Sequence, residues 1–154
     1  LNAIQRDGVP YDLISKSLPT VEGAVNDILA QIVDFSIVFS MNGKDIDTHI
    51  VYDDDRVWSL ELSSGMERFI SSLAIRIGLM NVSNLPQGNF LAIDEGWGTM
   101  DSDNLNSVAQ LFQYLKSQFQ FTFVVSHIET MRDFVDTLLE IKKIDGSSSV
   151  RFSR

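Results

Sequence analysis

Cysteine is absent from this chain of 154 residues. That excludes a disulfide framework and any thiolate metal site, and it fits a reducing compartment. Long apolar runs are absent too. None approaches the roughly 20 residues that cross a bilayer, so neither a membrane span nor a membrane partner is expected. The opening Leu1-Asn2-Ala3-Ile4-Gln5-Arg6-Asp7 has no basic start and no extended apolar segment, and does not read as a signal peptide. Positive charge is scarce: Lys and Arg number 12 against 21 Asp and Glu, a formal net charge of −9. Sequence-independent nucleic-acid binding rests on neutralising phosphates, so by itself the chain is a poor nucleic-acid-binding module. A phosphate-cradling Gly-x-x-x-x-Gly-Lys-Ser/Thr loop is missing as well. The one Gly-Lys pair, Gly43-Lys44, runs into Asp45 and has Val38 where the first glycine belongs.

What is present is an ordinary globular balance, 44% hydrophobic and 21% charged, in a chain long enough for one domain with a core. Leu1 to Asp7 reads as the last turns of a helix, with Gly8 as its stop. Pro19 opens a helical stretch in which Val21, Val25, Ile28, Leu29 and Ile32 share one face, fading near Asp34. Residues 35–39, 48–52 and 57–60 read as a small antiparallel meander, turned at Asn42-Gly43 and at Asp53-Asp54-Asp55. The triple Asp suits a solvated turn or, alternatively, a metal site. Residues 64–82 make the strongest helix, with Phe69, Ile70, Leu73, Ile77 and Met80 as its apolar stripe.

Pro86-Gln87-Gly88-Asn89 turns into an apolar strand over 90–94, expected to be buried. Asp101 then caps a helix that buries Leu105, Val108, Leu111 or Phe112, and Leu115. A second apolar strand covers 121–125, and His127 opens a short helix reaching about Phe134. Residues 138–144 and 149–152 flank Asp145-Gly146 as a hairpin, with Ser147-Ser148-Ser149 in its loop. The expectation is an α/β fold: a mostly parallel sheet with right-handed crossovers flanked by helices, a small antiparallel meander and a C-terminal hairpin. Ligands of such sheets sit beyond the carboxyl ends of the strands. Asp94-Glu95 and Ser126-His127 both fall there.

Four segments bear chemistry. Phe90-Leu91-Ala92-Ile93 ends in the adjacent carboxylates Asp94 and Glu95. Such a pair suits metal-assisted phosphoryl transfer, one acid serving Mg²⁺ and the other orienting or deprotonating a water; the alternative is a strand entering an acidic solvated loop. Ser64 and Glu67 have capping-box spacing. A Ser-Gly helix start also offers free N–H groups, a hydroxyl and the helix dipole to an anion. Gly96-Trp97-Gly98-Thr99-Met100-Asp101 is a tight loop directly after the acid pair. His127 ends the second apolar strand, either as a structural side chain or as a hydrogen-bonding partner for a phosphate or water. His49, mid-strand in the meander, reads as structural.

The order of a Ser-Gly helix start, acid-tipped strand, Asp-bearing loop and His-tipped strand resembles the signature motif, Walker B, D-loop and H-loop of an ABC-type ATPase head. Gly8-Val9-Pro10-Tyr11-Asp12-Leu13-Ile14, followed by Leu18-Pro19 and the helix to Ile32, resembles the point where a coiled coil re-enters the head of an SMC-related ATPase. Glu67-Arg68 with Leu73-Ala74-Ile75-Arg76 resembles the signature helix of the SbcC-like double-strand-break-repair ATPases. The chain is therefore similar to their C-terminal ATPase lobe, from about Leu62 to His127 and more loosely to the C-terminus.

The resemblance implies residues 1–8 as the end of a coiled coil, 9–34 as a helical re-entry region and 35–60 as the meander. Residues 61–154 would carry the signature helix, Walker B, D-loop and H-loop. It implies that Ser64 and Gly65 contact the γ-phosphate of ATP bound on an opposite head, that Asp94 serves Mg²⁺ through water, and that Glu95 positions or deprotonates the attacking water. Asp101 would contact the opposite head, and His127 would sense the γ-phosphate. The implied partners are an N-terminal P-loop lobe of the same protein, a second head, an SbcD-like nuclease and double-stranded DNA, at an intracellular, nucleoid-associated location. Lacking the P-loop, this lobe alone is expected to be inactive and to expose apolar surface where the other lobe docks.

Three residues depart from the family pattern. Met66 stands where a second glycine is usual, so its side chain must turn away from phosphate. Gly96 replaces a usual proline. Trp97 is unusual there and suggests a lid or an interface residue. Competing readings are a chromosome-organising SMC head, a non-hydrolysing interaction domain of the same fold, a paired-acid nuclease and a transporter's nucleotide-binding domain.

Overall fold

The computed structural model of the chain describes residues 9–43, 45–53, 56–98 and 104–153. Helix α1 spans Val9–Leu29, so it does not open at Pro19 but carries that residue inside it. Pro19 lies on the exposed side. There the carbonyl left without an N–H partner can bond water, which is how a helix tolerates an interior proline. The helix end expected over 1–7, with its stop at Gly8, lies outside the described residues. Val21, Val25, Ile28 and Leu29 form the buried face as their spacing requires, and Ile32 follows in the turn beyond.

Strands β1 (Ser36–Asn42), β2 (Asp45–Asp53) and β3 (Arg56–Ser59) form the antiparallel meander, in that spatial order. Ile37 of β1 pairs with Ile50 of β2, and both are fully buried. The free edge of β1 is closed by α1. Asn26 donates its amide to the Ile37 carbonyl at 2.9 Å and accepts the Ile37 N–H at 2.8 Å, and Glu22 accepts the Phe39 N–H at 2.7 Å. These side chains stand in for a neighbouring strand on an edge otherwise open to further pairing. Of the triple Asp, Asp53 pairs with Arg56 at 2.9 Å. Asp54 and Asp55 lie outside the described residues.

Helix α2 (Gly65–Val82) packs along α1, burying Met66, Ile70, Leu73, Ala74, Ile77 and Gly78. Strand β4 (Phe90–Asp94) pairs in parallel with β5 (Phe121–Val125), and α3 (Leu105–Gln118) runs between them in the chain. The expected cap Asp101 lies outside the described residues; Asn104 occupies the N-cap position. Helix α3 buries Val108, Leu111, Phe112, Tyr114 and Leu115, whereas Leu105, expected inside, is 39% exposed. A 3₁₀ turn (Glu129–Phe134) leads to β6 (Leu138–Ile144) and β7 (Ser147–Ser153).

Among the described residues the parallel sheet holds two strands, because β6 pairs with β7 rather than with β5. Asp145 and Gly146 both take positive φ, 46° and 84°, the two-residue hairpin geometry that matches strand twist. Ser147 to Ser149 therefore pair with Ile144 to Lys142 as strand, not loop.

The strand over 90–94 is not buried on both faces. Phe90 and Phe121, opposite each other in register, are 66% and 60% exposed, and Phe123 and Val125 are also open. Leu91, Ile93 and Val124 turn into the core instead. The helices cover one face, and the other carries the exposed apolar strip expected of a lobe that docks onto something. No helix among the described residues is long and apolar enough to cross a membrane.

At Gly78, α2 lies close against Val25 of α1. A Cβ there would fall 2.7 Å from Val25 Cγ2 and 3.3 Å from the Val25 backbone nitrogen. Alanine gains about 1 kcal/mol of helix propensity over glycine, but overpacking a stiff β-branched neighbour costs about 1–3 kcal/mol. Gly78→Ala is expected to lower unfolding free energy by about 1 kcal/mol in denaturant titration, and the loss in Val25→Ala/Gly78→Ala to be smaller than the sum of the two single losses because the two sites touch. A stabilised single variant would show that the helices have room to part.

Candidate active site

The chain reverses at the carboxyl end of β4. Glu95 takes φ 61° and Gly96 φ 100°. The left-handed region costs a non-glycine residue roughly 1–2 kcal/mol, so something must hold Glu95 there. Its N–H donates to the Val125 carbonyl at 3.1 Å, tying the turn to β5. Two residues on, the Trp97 indole is fully buried. It lies 4.7 Å from the Phe69 ring and 5.4 Å from the Phe112 ring, centroid to centroid. Trp97 is thus a core residue rather than a lid or an interface, because a large ring flanked by two others gains far more from burial than from solvent. Gly96 is required twice over. Its φ lies outside the range of proline, locked near −65°. A Cβ on it would also fall 2.5 Å from Phe69 Cε2.

The parallel register sets Asp94 opposite Val125, so the residues just beyond both strands come side by side. His127 Nδ1 lies 3.1 and 3.3 Å from the two Glu95 carboxylate oxygens. These side chains are 74% and 53% exposed. A contact this open adds little stability, but it places an imidazole against a carboxylate within reach of water. The Asp94 carboxylate is also exposed beside them. Chemically, this is a group that can accept a proton from water, a neighbour that can share it, and a second acid free for a cation.

Ser64 caps α2 with a complete capping box. Its hydroxyl accepts the Glu67 N–H at 3.2 Å, and Glu67 Oε2 accepts the Ser64 N–H at 2.5 Å. The next N–H groups, of Gly65 and Met66, belong to the first turn, which a helix cannot satisfy internally. This donor set, with the helix dipole, suits an anion. Met66 is 3% exposed, so its side chain fills the core and leaves that face clear.

The second Glu67 oxygen accepts from the Tyr52 hydroxyl of β2. Burial opposes the ionisation of Glu67, but the hydrogen bonds from Tyr52 and Ser64 outweigh it and hold its carboxyl below the usual range. Burial, reinforced by the bond to Glu67, pushes the Tyr52 phenol up. A cavity of about 120 Å³ opens beside this network, lined among others by Asp34, Tyr52, Ser64, Glu67, Asn104 and Ser107.

Glu95 and His127 are brought together, with Asp94 adjacent. Ser64 and Gly65 stand at the start of α2, whose Phe69 lies beneath Gly96. Asp101 falls outside the described residues, and His49 is a strand residue of β2 opposite Ser59. Sequence reasoning missed Tyr52. The Ser-x-x-Glu spacing announces a cap, but nothing local announces a third partner 15 residues away in the chain.

No family model matches the chain. It is 34% identical over 160 residues to the uncharacterized protein R555 of Acanthamoeba polyphaga mimivirus, a match to 94% of this chain. It is 29% identical over 123 residues to the SbcC component of the nuclease SbcCD of Staphylococcus aureus, a match to 77% of this chain. The chain spans 12% of the length of each of these relatives. A solved structure from work on ATP-driven dimerization and DNA-stimulated activation of SMC ATPases superposes with TM-score 0.73 at 17% identity, covering 93% of this chain and 89% of that one.

The capping network makes stability depend on acid. Because the folded Glu67 value lies below the unfolded one, its contribution is complete above the ordinary glutamate value of about 4.3 and is lost as pH falls through the lower folded value. Glu67→Gln is expected to lower the melting temperature at pH 7 and to change it little at pH 3. Equal losses at both pH values would mean that the carboxylate charge is not what Tyr52 and Ser64 bind.

Proposed function

We propose that this chain, homologous to SbcC and folded as the C-terminal lobe of an SMC-related ATPase head, supplies the hydrolytic carboxylate of a composite ATP site. The observation that carries this reading is the Glu95–His127 contact beyond the carboxyl ends of β4 and β5, with Asp94 beside it. Glu95 orients and deprotonates the attacking water. His127 holds the carboxylate in place and hydrogen-bonds the γ-phosphate. Ser64 and Gly65, at the capped start of α2, meet the γ-phosphate of ATP on an opposite head through the serine hydroxyl and first-turn N–H groups. Asp101 serves the contact between heads.

The donor set fits both cofactors. Exposed Asp94 suits a hard, hydrated cation. Among the described residues no group of three or more His, Cys, Asp or Glu could hold a metal ion by itself. Mg²⁺, when bound, neutralises charge on the transferred phosphoryl group.

In this reading residues 1–8 end a coiled coil, 9–34 re-enter the head, 35–60 form the meander, and 61–154 carry the site segments. The P-loop is supplied by an N-terminal lobe. ATP sandwiched between two heads drives their engagement, which controls double-stranded DNA and an SbcD-like nuclease inside the cell. A chromosome-organising SMC role is the second reading, favoured by the fold neighbours. The SbcC likeness in sequence favours double-strand-break repair.

The test is steady-state ATP hydrolysis by this lobe alone and mixed with its P-loop lobe. Turnover is expected only in the mixture. Glu95→Gln should reduce kcat by at least about a hundredfold, the scale on which a positioned base acts, while ATP-dependent dimerisation measured by light scattering persists. Undiminished turnover by the mixture carrying Glu95→Gln would sink the assignment. Ser64→Arg should abolish ATP-dependent dimerisation yet leave ATP binding to the P-loop lobe intact by calorimetry. Normal dimerisation by that variant would remove α2 from the interface.

A further inference from the structure

Trp97 heads the largest fully buried side chains of the described residues, and the proposed chemistry makes no use of it. Phe69 of α2, Trp97 of the acid turn, Phe112 of α3 and Phe134 of the turn after β5 form a column of rings. Successive centroids are 4.7, 5.4 and 5.8 Å apart. Each ring belongs to a different element, and three of those elements carry a candidate site residue. Ser64 caps the helix of Phe69, Glu95 shares the turn of Trp97, and His127 leads into the turn of Phe134.

The Glu95 side chain is 53% exposed, so its position is decided by its backbone rather than by side-chain packing. That backbone sits at an unfavourable φ and is pinned on one side by the bond to Val125. On the other side the next anchored atom group is the indole.

We infer that Trp97 is the positioning residue for Glu95: burial of its ring in the column of Phe69, Phe112 and Phe134 holds the left-handed Glu95-Gly96 turn that sets the carboxylate against His127. This rests on the reading of Glu95 as the hydrolytic carboxylate. The indole N–H has no hydrogen-bond partner among the described residues. Position 97 therefore supplies ring packing, and phenylalanine can supply it without leaving a bond unmade.

The experiment is ATP hydrolysis by the assembled lobes. Trp97→Ala is expected to reduce kcat by about tenfold to a hundredfold, the loss that follows a displacement of about 1 Å at a reacting group. KM for ATP should stay within about twofold, because the ring is fully buried and offers no surface to a ligand. Trp97→Phe should recover most of kcat. If Trp97→Ala does not fold, Trp97→Leu, which keeps apolar volume but not the stacked ring, is judged by the same criterion. Unchanged kcat in a folded variant, a change confined to KM, or Trp97→Phe as slow as Trp97→Ala would each overturn the inference.

A readout independent of turnover separates this from the function itself. By NMR, Glu95→Gln should shift the His127 imidazole resonances in otherwise native protein and leave them unmoved in the Trp97→Ala background. The same shift in both backgrounds overturns the positioning role. Hydrolysis that survives Glu95→Gln overturns the reading of Glu95 and leaves the NMR comparison to decide the positioning role.

Discussion

The approach of α1 to α2 at Val25 and Gly78 is the constraint on which much of the lobe depends. With no side chain at Gly78, the two helices close until the Val25 methyl reaches the α2 backbone. That distance fixes how α1 presents Glu22 and Asn26, which bracket the edge of β1. Strand β1 sets the register of β2 through the buried Ile37–Ile50 pair. Strand β2 carries Tyr52, whose hydroxyl donates to Glu67. Glu67 in turn holds the N–H of Ser64. Side chains on the first helix are thereby linked to the cap of the second through a strand pair, by contacts that each have a definite geometry.

At the other end of the site the balance is between strain and burial. Keeping Glu95 in the left-handed region costs roughly 1–2 kcal/mol. Against that stand aromatic contacts worth about 0.5–1.5 kcal/mol each beyond their area, together with the burial of an indole, whose removal from a core typically costs about 3–5 kcal/mol. The strained turn is stable because Trp97 is buried, and Trp97 can reach the core because Gly96 bends where no other residue would. A proline at position 96 would forbid the φ observed there. Gly96 and Trp97, two of the three departures from the pattern that the chain resembles, are one structural solution rather than two accidents.

Local signals in the sequence were legible. The Ser64/Glu67 spacing gave the start of α2, Asp145-Gly146 gave the hairpin, and the apolar runs gave β4 and β5. These features depend on residues within a few positions of one another. Features decided by distant packing were not legible. Pro19 looked like a helix start because only the placement of its ring toward solvent makes it tolerable inside α1. The run Phe90-Leu91-Ala92-Ile93 looked buried on both faces because composition does not say that helices cover only one of them. Trp97 looked like a surface feature because its column draws on three other elements. In the site, the shared position of Asp94-Glu95 and Ser126-His127 at strand ends was legible, whereas the contact of Glu95 with His127 and the part of Tyr52 had no local signature.

The open face of the parallel pair bears on how the site is completed. Phe90 and Ala92 alternate with Asp94 along β4, and Phe121, Phe123 and Val125 lie beside them in register. The apolar strip and the cation-ready carboxylate therefore share one face of the sheet. Contiguous exposed apolar surface of this kind marks an interaction site. A surface packed on Phe90 and Phe121 would lie on the same face as Asp94. In the proposed head the lobe that hides this strip is also the lobe that brings the phosphate-binding loop, so docking and assembly of the site are one event. A chain of net charge −9 would repel the phosphates of ATP by itself. In the proposed head, with the positive cradle on the partner lobe and the water-activating acid here, Glu95 would have no substrate until the two are joined.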